Sequence, residues 1–297
     1  MVPFFIFYSM FGFQRIGDLA WAAGDLRTRG FMLGGTAGRT TLAGEGLQHQ
    51  DGHSLILANT VPNCVSYDPT YSYELAVIIQ NGIQRMYGND ESVYFYITCM
   101  NENYCHPAMP EGAETGILKG MYKLQSNGAG KDKPTLQMLG SGTILNEVIK
   151  AATLLKDDYG IGSDIWSVTS FNELARDGIE VDRHNRLKAD EPAKKAYITE
   201  CLEDANGPVL AATDYMKIYS DQVRAWIPQR YTVLGTDGFG RSDTRAQLRS
   251  FFEVNAAHIV VAALKTLADE GAIDAKLISE AVAKFDIDPN KPNPVTV

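Results

Sequence analysis

Short apolar runs of strand length alternate along this chain with amphipathic stretches of helical period, and this alternation restricts the possible folds more than any other feature. Apolar residues at helical spacing predict helices, and short continuous apolar runs predict buried strands. Strands and helices in alternation form parallel sheets with helices on both faces, so we predict an α/β fold. The predicted strands are residues 2–8, 30–34, 93–98, 135–139, 164–168, 209–212 and 231–234, and the predicted helices are residues 10–29, 71–87, 143–156, 215–226, 255–270 and 275–285.

One segment between these elements, residues 111–134, is rich in glycine, lysine and aspartate and offers little to bury. We place a domain boundary within it, which divides the 297 residues into domains 1–115 and 116–297. Each part is long enough to bury a core of its own.

Charge and cysteine content exclude several classes of protein. The formal net charge of −9 leaves no basic footprint for nucleic acid and favours a cytoplasmic protein. The apolar start, MVPFFIFYSMF, is too short to span a membrane and lacks the basic leader of a signal peptide. The cysteines form no CxxC pair, which favours free thiols. Cys99, Cys105 and His106 could hold a metal ion, but no fourth ligand follows at a recognisable spacing.

The stretch GRTTLAGEGLQHQDGHS, residues 38–54, places two of the chain's five histidines, His49 and His53, in one polar loop. Glycine lets a backbone approach a ligand closely, and histidine changes charge near neutral pH. The loop follows a predicted strand, on the sheet edge where ligands bind in open parallel sheets. Two interpretations stay open: a surface loop with incidental imidazoles, and a loop that carries proton chemistry beside a ligand.

Three aromatic residues, Tyr8, Phe11 and Phe13, stand where the first predicted strand ends and the first helix begins. An aromatic ring at that sheet edge can stack on a planar ligand ring. The alternative is that all three fill the core.

Two glycine-rich turns also have two interpretations each. LGSGTILNEV, which contains residues 140–145, lacks the third glycine of a dinucleotide fingerprint, so a tight strand-to-helix turn is favoured. GTDGFGRSD, residues 235–243, predicts either an anion cradle or a rigid connector that Ser242 or Asp243 caps ahead of the next helix.

Six long motifs follow one another along the chain: FYSMFGFQRIGDLAWAAGDLRTRGFMLGGTAGRTTLAGEGLQHQDGHS, VPNCVSYDPTYSYELAVI, YITCMNENYCHPAMPEGAETGILKGMYKL, SVTSFNELARDG, ATDYMK and VLGTDGFGRSDTRAQLRSFFEV. Together they resemble the thiamine-diphosphate enzymes of the transketolase type. They are most similar to the homodimeric bacterial pyruvate dehydrogenases, the decarboxylating component of the pyruvate dehydrogenase complex. The resemblance implies a transketolase-like pyrimidine domain, truncated at its start, in residues 1–115 and a transketolase-like carboxyl-terminal domain in residues 116–297.

The resemblance also implies an activity. Members of this family are homodimers that use thiamine diphosphate and Mg²⁺ to decarboxylate pyruvate, and they pass the acetyl group to a lipoyl group of the dihydrolipoamide acetyltransferase component. It implies three site residues as well. Phe11 would stack on the aminopyrimidine ring, and Tyr8 and His49 would hydrogen-bond the substrate or the covalent intermediate.

The sequence departs from the family at two functional features. The family's diphosphate motif begins GDG and ends NN, and neither string occurs in this chain. The family's catalytic glutamate precedes the strand that starts at residue 2. We therefore expect a carboxyl-terminal portion that contributes no Mg²⁺ ligand and is inactive alone. A parallel sheet without its first strands would expose an edge and an apolar face.

Two alternatives remain open. The chain could be a non-catalytic dimerisation or interaction module derived from such an enzyme. It could also come from another 2-oxoacid dehydrogenase or from a transketolase.

Overall fold

The computed structural model describes residues 1–44, 46–128 and 133–297 and places the strands in two sheets. The first sheet contains β1 (Phe4–Tyr8), β2 (Phe31–Gly35), β3 (Cys64–Tyr67) and β4 (Tyr94–Cys99), and the second contains β5 (Met121–Asn127), β6 (Thr135–Gly140), β7 (Gly162–Val168), β8 (Val209–Ala212) and β9 (Tyr231–Leu234). Their orders are β1-β2-β4-β3 and β5-β7-β6-β8-β9. Every described pair is parallel except β5 with β7. The predicted α/β class with parallel sheets is confirmed.

Helices cover both sheets. They are α1 (Phe13–Asp25), α2 (Ser54–Asn59), α3 (Ser72–Ile83), α4 (Ala113–Lys119), α5 (Ile144–Tyr159), α6 (Phe171–Leu187), α7 (Tyr197–Leu202), α8 (Lys217–Asp221), α9 (Arg245–Phe251), α10 (Ala256–Asp269) and α11 (Lys276–Lys284).

Strand β8 shows how the core is arranged. Val209 and Ala211 belong to a buried cluster that also contains residues of α6, α7 and the first sheet, whereas Leu210 and Ala212 belong to a cluster beneath α5 and α10. The two-residue period of a strand sends alternate side chains to opposite faces and so produces this division. Because the first of these clusters reaches Tyr96 of β4, the two sheets share one continuous core.

The predicted linker is partly wrong. Within residues 111–134 the structure has helix α4 and strand β5, because Ile117, Met121 and Tyr122 are buried there. Strand β5 pairs antiparallel with β7, so it adds an edge to the second sheet that the alternation did not predict. Residues 129–132 of the predicted linker lie outside the described residues. The boundary at residue 115 would fall within α4 and stays a prediction.

One predicted helix is also wrong in extent. Residues 215–226 contain the short helix α8 and a separate 3₁₀ turn at Arg224–Trp226. Pro228 follows directly after Ile227, and a residue before proline is disfavoured in the helical region. The buried side chain of Val223 packs into the core between the two short elements.

The segment Arg245–Asp269 is, among the described residues, the only one long and apolar enough by composition to cross a membrane. It comprises α9 and α10, which are separated by a turn where Glu253 has a φ of 62°. Because Ile259, Val260 and Leu264 of α10 are fully buried, packing in the second sheet's core accounts for its apolar character.

A buried carboxylate joins the first sheet's helix α3 to the second sheet. Glu74 Oε2 accepts hydrogen bonds from the backbone amides of Thr70 and Tyr71 at 2.6 and 2.9 Å. Its Oε1 accepts hydrogen bonds from the hydroxyls of Tyr122 and Ser167 at 2.7 and 2.6 Å. Four donors from both sides of the contact therefore satisfy one carboxylate that water does not reach.

A second buried carboxylate, Asp68, follows strand β3. Its Oδ1 accepts a hydrogen bond from Thr98 Oγ1 at 2.6 Å and a longer one from the Tyr215 hydroxyl at 3.4 Å. Burial disfavours the charged form, and this effect outweighs the hydrogen bonds and raises the pKa of Asp68 to about 7.

We expect the free energy of unfolding to fall as the pH rises from about 4 to 7, because folded Asp68 keeps a proton that the unfolded chain releases. The Asp68→Asn variant cannot ionise and so escapes this loss. Its stability relative to the unmodified chain should rise by up to roughly 3 kcal/mol between pH 4.5 and pH 8, measured by urea unfolding. Asp190→Asn, at an exposed position, is the control. An equal stability difference at both pH values would contradict the assignment.

Within the part of the chain that the structure describes, strand β1 pairs only with β2 and so leaves one edge of the first sheet open. Its side chains are unusually exposed for apolar residues: Phe5 is 59% and Ile6 is 67% exposed. Exposed apolar edge strands pair readily with other chains.

We expect the isolated chain to self-associate through this edge, and Ile6→Lys to weaken that association by placing a charge on it. Sedimentation velocity over a range of protein concentrations measures the effect. Ile218→Lys is the matched control, since Ile218 is similarly exposed, at 58%, but lies on α8. A monomeric unmodified chain, or equal effects of both substitutions, would contradict the expectation.

Candidate functional site

The three predicted site residues lie at the carboxyl ends of β1 and β2. Tyr8 is the last residue of β1 and pairs in register with Gly35 of β2. One turn of 3₁₀ helix, Ser9–Phe11, then places Phe11 just before α1. The connection from β2 to α2, residues 36–53, carries His49 and is named the His49 loop below. Carboxyl ends of parallel strands meet at one sheet edge, which explains why distant parts of the sequence converge here.

The rings of these residues form one cluster. The His49 ring centroid lies 5.4 Å from that of Tyr8 and 5.0 Å from that of Phe11, and both contacts are edge-on. The Tyr8 and Phe11 centroids are 5.9 Å apart. Tyr8 is 46% exposed, and Phe11 and His49 are half-buried. The cluster is therefore packed enough to fix the rings and open enough to contact a ligand.

Phe13 does not join this cluster. Its side chain is buried and packs edge-on against Tyr96, with ring centroids 4.9 Å apart. Of the two interpretations of the early aromatics, core filling therefore holds for Phe13, whereas Tyr8 and Phe11 remain at the surface. Phe11 and Phe13 are two residues apart, and α1, which begins at Phe13, turns the Phe13 side chain toward the core.

A residue that the sequence analysis missed, Arg15, contacts the cluster. Its guanidinium carbon lies 4.2 Å from the centroid of the Phe11 ring, in a cation–π contact. Helical spacing did not signal this contact, because Phe11 lies in the 3₁₀ turn before α1 and Gly12 between them has a non-helical ψ of −107°.

The second loop histidine, His53, lies apart from the aromatic cluster. Its Nε2 is 2.8 Å from Gln14 Oε1, and its backbone amide donates to Asp51 Oδ1 at 3.0 Å. Asp51 also accepts hydrogen bonds from the amide and hydroxyl of Ser54, so this carboxylate caps the start of α2. Desolvation lowers the pKa of His53, the nearby Asp51 charge opposes this, and the Arg39 charge adds to it.

The cluster offers three chemical groups on one face: a phenol, an imidazole and an aromatic ring. The phenol and imidazole can donate hydrogen bonds to a carbonyl or carboxylate, and the imidazole can also transfer a proton. The Phe11 ring offers an apolar surface for a planar ring. These groups fit the ring end of thiamine diphosphate together with a small oxoacid.

A metal ion requires several ligand side chains close together. The described residues contain no group of three or more histidine, cysteine, aspartate or glutamate side chains that could hold a metal ion. All four cysteines are free thiols, as predicted. His106 is engaged elsewhere, since its Nδ1 accepts a hydrogen bond from the Ser72 amide at 2.9 Å and its ring stacks on Tyr104.

Both glycine-rich turns connect a strand to a helix. Residues 140–143 form the turn from β6 to α5, as predicted. Residues 235–244 connect β9 to α9, and Thr244 caps that helix by accepting a hydrogen bond from the Gln247 amide at 3.4 Å. The prediction that Ser242 or Asp243 is the cap is therefore wrong by one residue, because α9 begins at Arg245.

Comparisons with known proteins agree along the whole chain. Residues 1–107 match the family model of the pyruvate dehydrogenase E1 component middle domain, and residues 120–255 match that of the transketolase-like C-terminal domain. The pyruvate dehydrogenase E1 component of Pseudomonas aeruginosa is 61% identical over 300 residues, which cover 99% of this chain and 33% of that protein.

Solved structures give the same fold. The Campylobacter jejuni transketolase superposes with a TM-score of 0.63 at 15% identity, over 88% of this chain and 35% of that one. A chain described as a split gene transketolase, inactive β4 tetramer, superposes with a TM-score of 0.55 at 14% identity, over 90% of this chain and 76% of that one.

This chain spans about one third of the length of the curated relatives that it matches. Two family models, the high identity to E1 components and the transketolase-like fold all agree. The chain therefore belongs to the pyruvate dehydrogenase E1 component family of transketolase-like proteins.

Proposed function

We propose that this chain supplies one wall of a thiamine-diphosphate site that decarboxylates pyruvate and transfers the acetyl group to a lipoyl group. The observation that carries the proposal is the cluster of Tyr8, Phe11 and His49 at the carboxyl ends of β1 and β2. The chain's membership of the E1 component family also supports the proposal.

In this proposal Phe11 holds the aminopyrimidine ring by stacking, which orients the cofactor toward the two polar residues. Bound thiamine diphosphate supplies the carbon nucleophile and the electron sink for loss of CO₂. Tyr8 and His49 orient the carboxylate and carbonyl of pyruvate, and they stabilise negative charge that develops on the carbonyl oxygen. Arg15 adds positive charge beside the Phe11 ring.

The site needs a second half. This chain lacks the strings GDG and NN of the diphosphate motif, and its described residues offer no metal ligand cluster. We propose that the Mg²⁺ ligands, the diphosphate contacts and the catalytic glutamate come from polypeptide outside this chain, in a homodimeric cytoplasmic enzyme whose partner is the lipoyl-bearing acetyltransferase component. The inactive split transketolase, which has a similar extent, supports the expectation that such a portion is inactive alone.

Calorimetry and a CO₂-release assay test the proposal. Titrated with thiamine diphosphate and Mg²⁺, the isolated chain should bind weakly and produce no CO₂ from pyruvate. Co-expressed with the part of the Pseudomonas aeruginosa relative that it does not match, it should bind the cofactor and release CO₂. Micromolar binding with turnover by the chain alone, or an assembled complex that binds cofactor without turnover, would refute the proposal.

We expect His49→Ala in the assembled enzyme to lower turnover by about 10²-fold, because one positioned acid–base group is lost. Cofactor affinity should change little, since His49 faces the substrate rather than the aminopyrimidine in this proposal. The measurements are kcat from CO₂ release and the cofactor Kd from calorimetry. His53→Gln is the control from the same loop, because the His53 ring contacts Gln14 and not the cluster. Unchanged turnover in His49→Ala would assign His49 a structural role.

The assembled enzyme also separates the remaining alternatives. Turnover with other 2-oxoacids or with sugar phosphates in place of pyruvate would indicate another 2-oxoacid dehydrogenase or a transketolase. The open edge at β1 favours the alternative of a non-catalytic interaction module. That alternative would be supported if the chain associates with itself or with the co-expressed polypeptide but no assembly turns over any of these substrates.

A further inference from the structure

We propose that Asp214, Gln50 and Arg245 are positioning residues for His49, because they fasten both ends of the His49 loop to connections of the second sheet. Asp214 lies in the ATDYMK motif after β8, and Arg245 begins α9 after the glycine-rich connection of residues 235–244. The inference gives these two motifs a function that the site residues alone do not explain.

The first attachment is made by the Asp214 carboxylate. Its Oδ1 accepts hydrogen bonds from the Thr40 amide at 3.0 Å and the Thr40 hydroxyl at 2.7 Å, and its Oδ2 accepts one from the Thr41 hydroxyl at 2.9 Å. The backbone carbonyl of Asp214 also accepts a hydrogen bond from the Arg39 amide at 3.1 Å. Asp214, Thr40 and Thr41 are fully buried, so breaking these bonds would leave a desolvated carboxylate without donors.

The second attachment is made by Gln50, directly after His49. Its Nε2 donates to the Arg241 carbonyl at 2.7 Å, and its Oε1 accepts from the Arg241 amide at 2.7 Å. The fully buried side-chain amide therefore pairs with backbone groups as a neighbouring strand would. The same Nε2 donates to the Leu42 carbonyl at 3.3 Å, which ties the two ends of the loop together.

The third attachment is made by Arg245. Its Nε donates to the Thr41 carbonyl at 2.7 Å, and its Nη2 donates to the Asn101 carbonyl at 2.9 Å. One guanidinium thus joins the His49 loop to the segment after β4. Hydrogen bonds from a charged donor are stronger than neutral ones, and the planar guanidinium fixes their direction.

Close backbone contact supports the same conclusion. The Gly44 amide donates to the Asp243 carbonyl at 2.9 Å, and the Met216 amide donates to the Gly52 carbonyl at 2.8 Å. Gly46 has a φ of 75°, and a Cβ built on it would lie 2.5 Å from Ser242 Oγ. His49 therefore lies between two sets of attachments, at residues 39–44 and 50–52, and the second sheet's connections determine where its ring lies.

Arg245→Met tests the inference on the chain itself, without cofactor or pyruvate. We expect amide hydrogen exchange in residues 39–44 and 50–53 to accelerate about tenfold, because the loop opens more often once a charged hydrogen bond is lost. Arg176→Met is the matched control. Arg176 is similarly half-buried, and it also donates to two backbone carbonyls, those of Cys64 and Val61, at 2.8 and 3.2 Å. This control should leave exchange in the His49 loop unchanged.

A spectroscopic readout separates positioning from general stability. In two-bond ¹H–¹⁵N spectra of the five histidine rings, Arg245→Met should shift or broaden the His49 signals and leave those of His184 and His258 in place. Arg245→Lys, which keeps one donor for the Thr41 carbonyl, should restore part of the exchange protection. Equal exchange and unchanged His49 signals in Arg245→Met would overturn the inference.

A second pair of variants covers the other end of the loop. Gln50→Glu replaces the amide donor with an acceptor facing the carbonyls of Leu42 and Arg241, whereas Gln137→Glu makes the same change at a buried glutamine of β6 that donates to the Asn206 carbonyl at 3.0 Å. We expect only Gln50→Glu to move the His49 signals. Equal effects on His49 from both changes would overturn the inference.

Catalytic importance of these attachments rests on the proposed function. In the assembled enzyme, Arg245→Met should lower kcat about tenfold with little change in the KM for pyruvate, because the imidazole is displaced more than the binding surface. Loss of loop protection without any decarboxylation by the unmodified assembly would reject the proposed function and leave the positioning inference standing. Normal amide protection of the His49 loop in an active assembly that carries Arg245→Met would reject the positioning inference and leave the proposed function standing.

Discussion

Buried carboxylates at the contact between the two sheets are the interaction on which the candidate site depends. Asp68, Glu74 and Asp214 are fully buried, and each accepts hydrogen bonds from a part of the chain distant in sequence. A carboxylate away from water is stable only while donors surround it. A small displacement of one sheet against the other would therefore break these hydrogen bonds before water could replace them. This requirement keeps the sheets in one register relative to each other, although their shared apolar core is itself not directional.

The members of the aromatic cluster are held by different means. His49 lies on a loop in which Thr40 and Gln50 are buried and hydrogen-bonded. Tyr8 ends β1 and Phe11 follows it. Strand β1 is an edge strand that pairs with β2 and has half-exposed apolar side chains. The imidazole side of the cluster is therefore rigidly supported within this chain. The phenol and phenyl side depends more on whatever packs against the open edge, and this asymmetry agrees with a site completed by additional polypeptide.

The sequence predicted the fold class, and the clustering of three site residues followed from a family resemblance supported by strand order. Prediction from the sequence failed where contacts between distant parts of the chain determine the local structure. Glycine and lysine within residues 111–134 suggested a linker, but buried Ile117 packs α4 against the first sheet's core, and buried Met121 lies in β5 of the second sheet. Helix α6 was missed although its cap was visible: Ser170 Oγ accepts from the Glu173 amide at 3.0 Å, in the pattern S-x-x-E.

The structural functions of Asp214 and Gln50 could not be predicted from spacing. Asp214 is 174 residues from Thr40, and Gln50 is 191 residues from Arg241. Periodicity describes neighbours on one element, and it contains no information on which loops of two different sheets will meet. Arg15 and Phe11 are only four residues apart, but the helical backbone is interrupted at Gly12 between them, so helical spacing does not predict their contact either.

These long sequence separations have a consequence for the order of folding during synthesis. The hydrogen bond between Arg245 and Thr41 spans 204 residues, so it cannot form until Arg245 has left the ribosome. Closing such a loop carries an entropic cost that local contacts do not. The nascent chain can pair β1 with β2 early, but the segment with the imidazole must wait until the region around Arg245 has been synthesised. The arrangement of the cluster is therefore acquired late in folding, and a chain terminated before that region would contain every residue of the cluster without its arrangement.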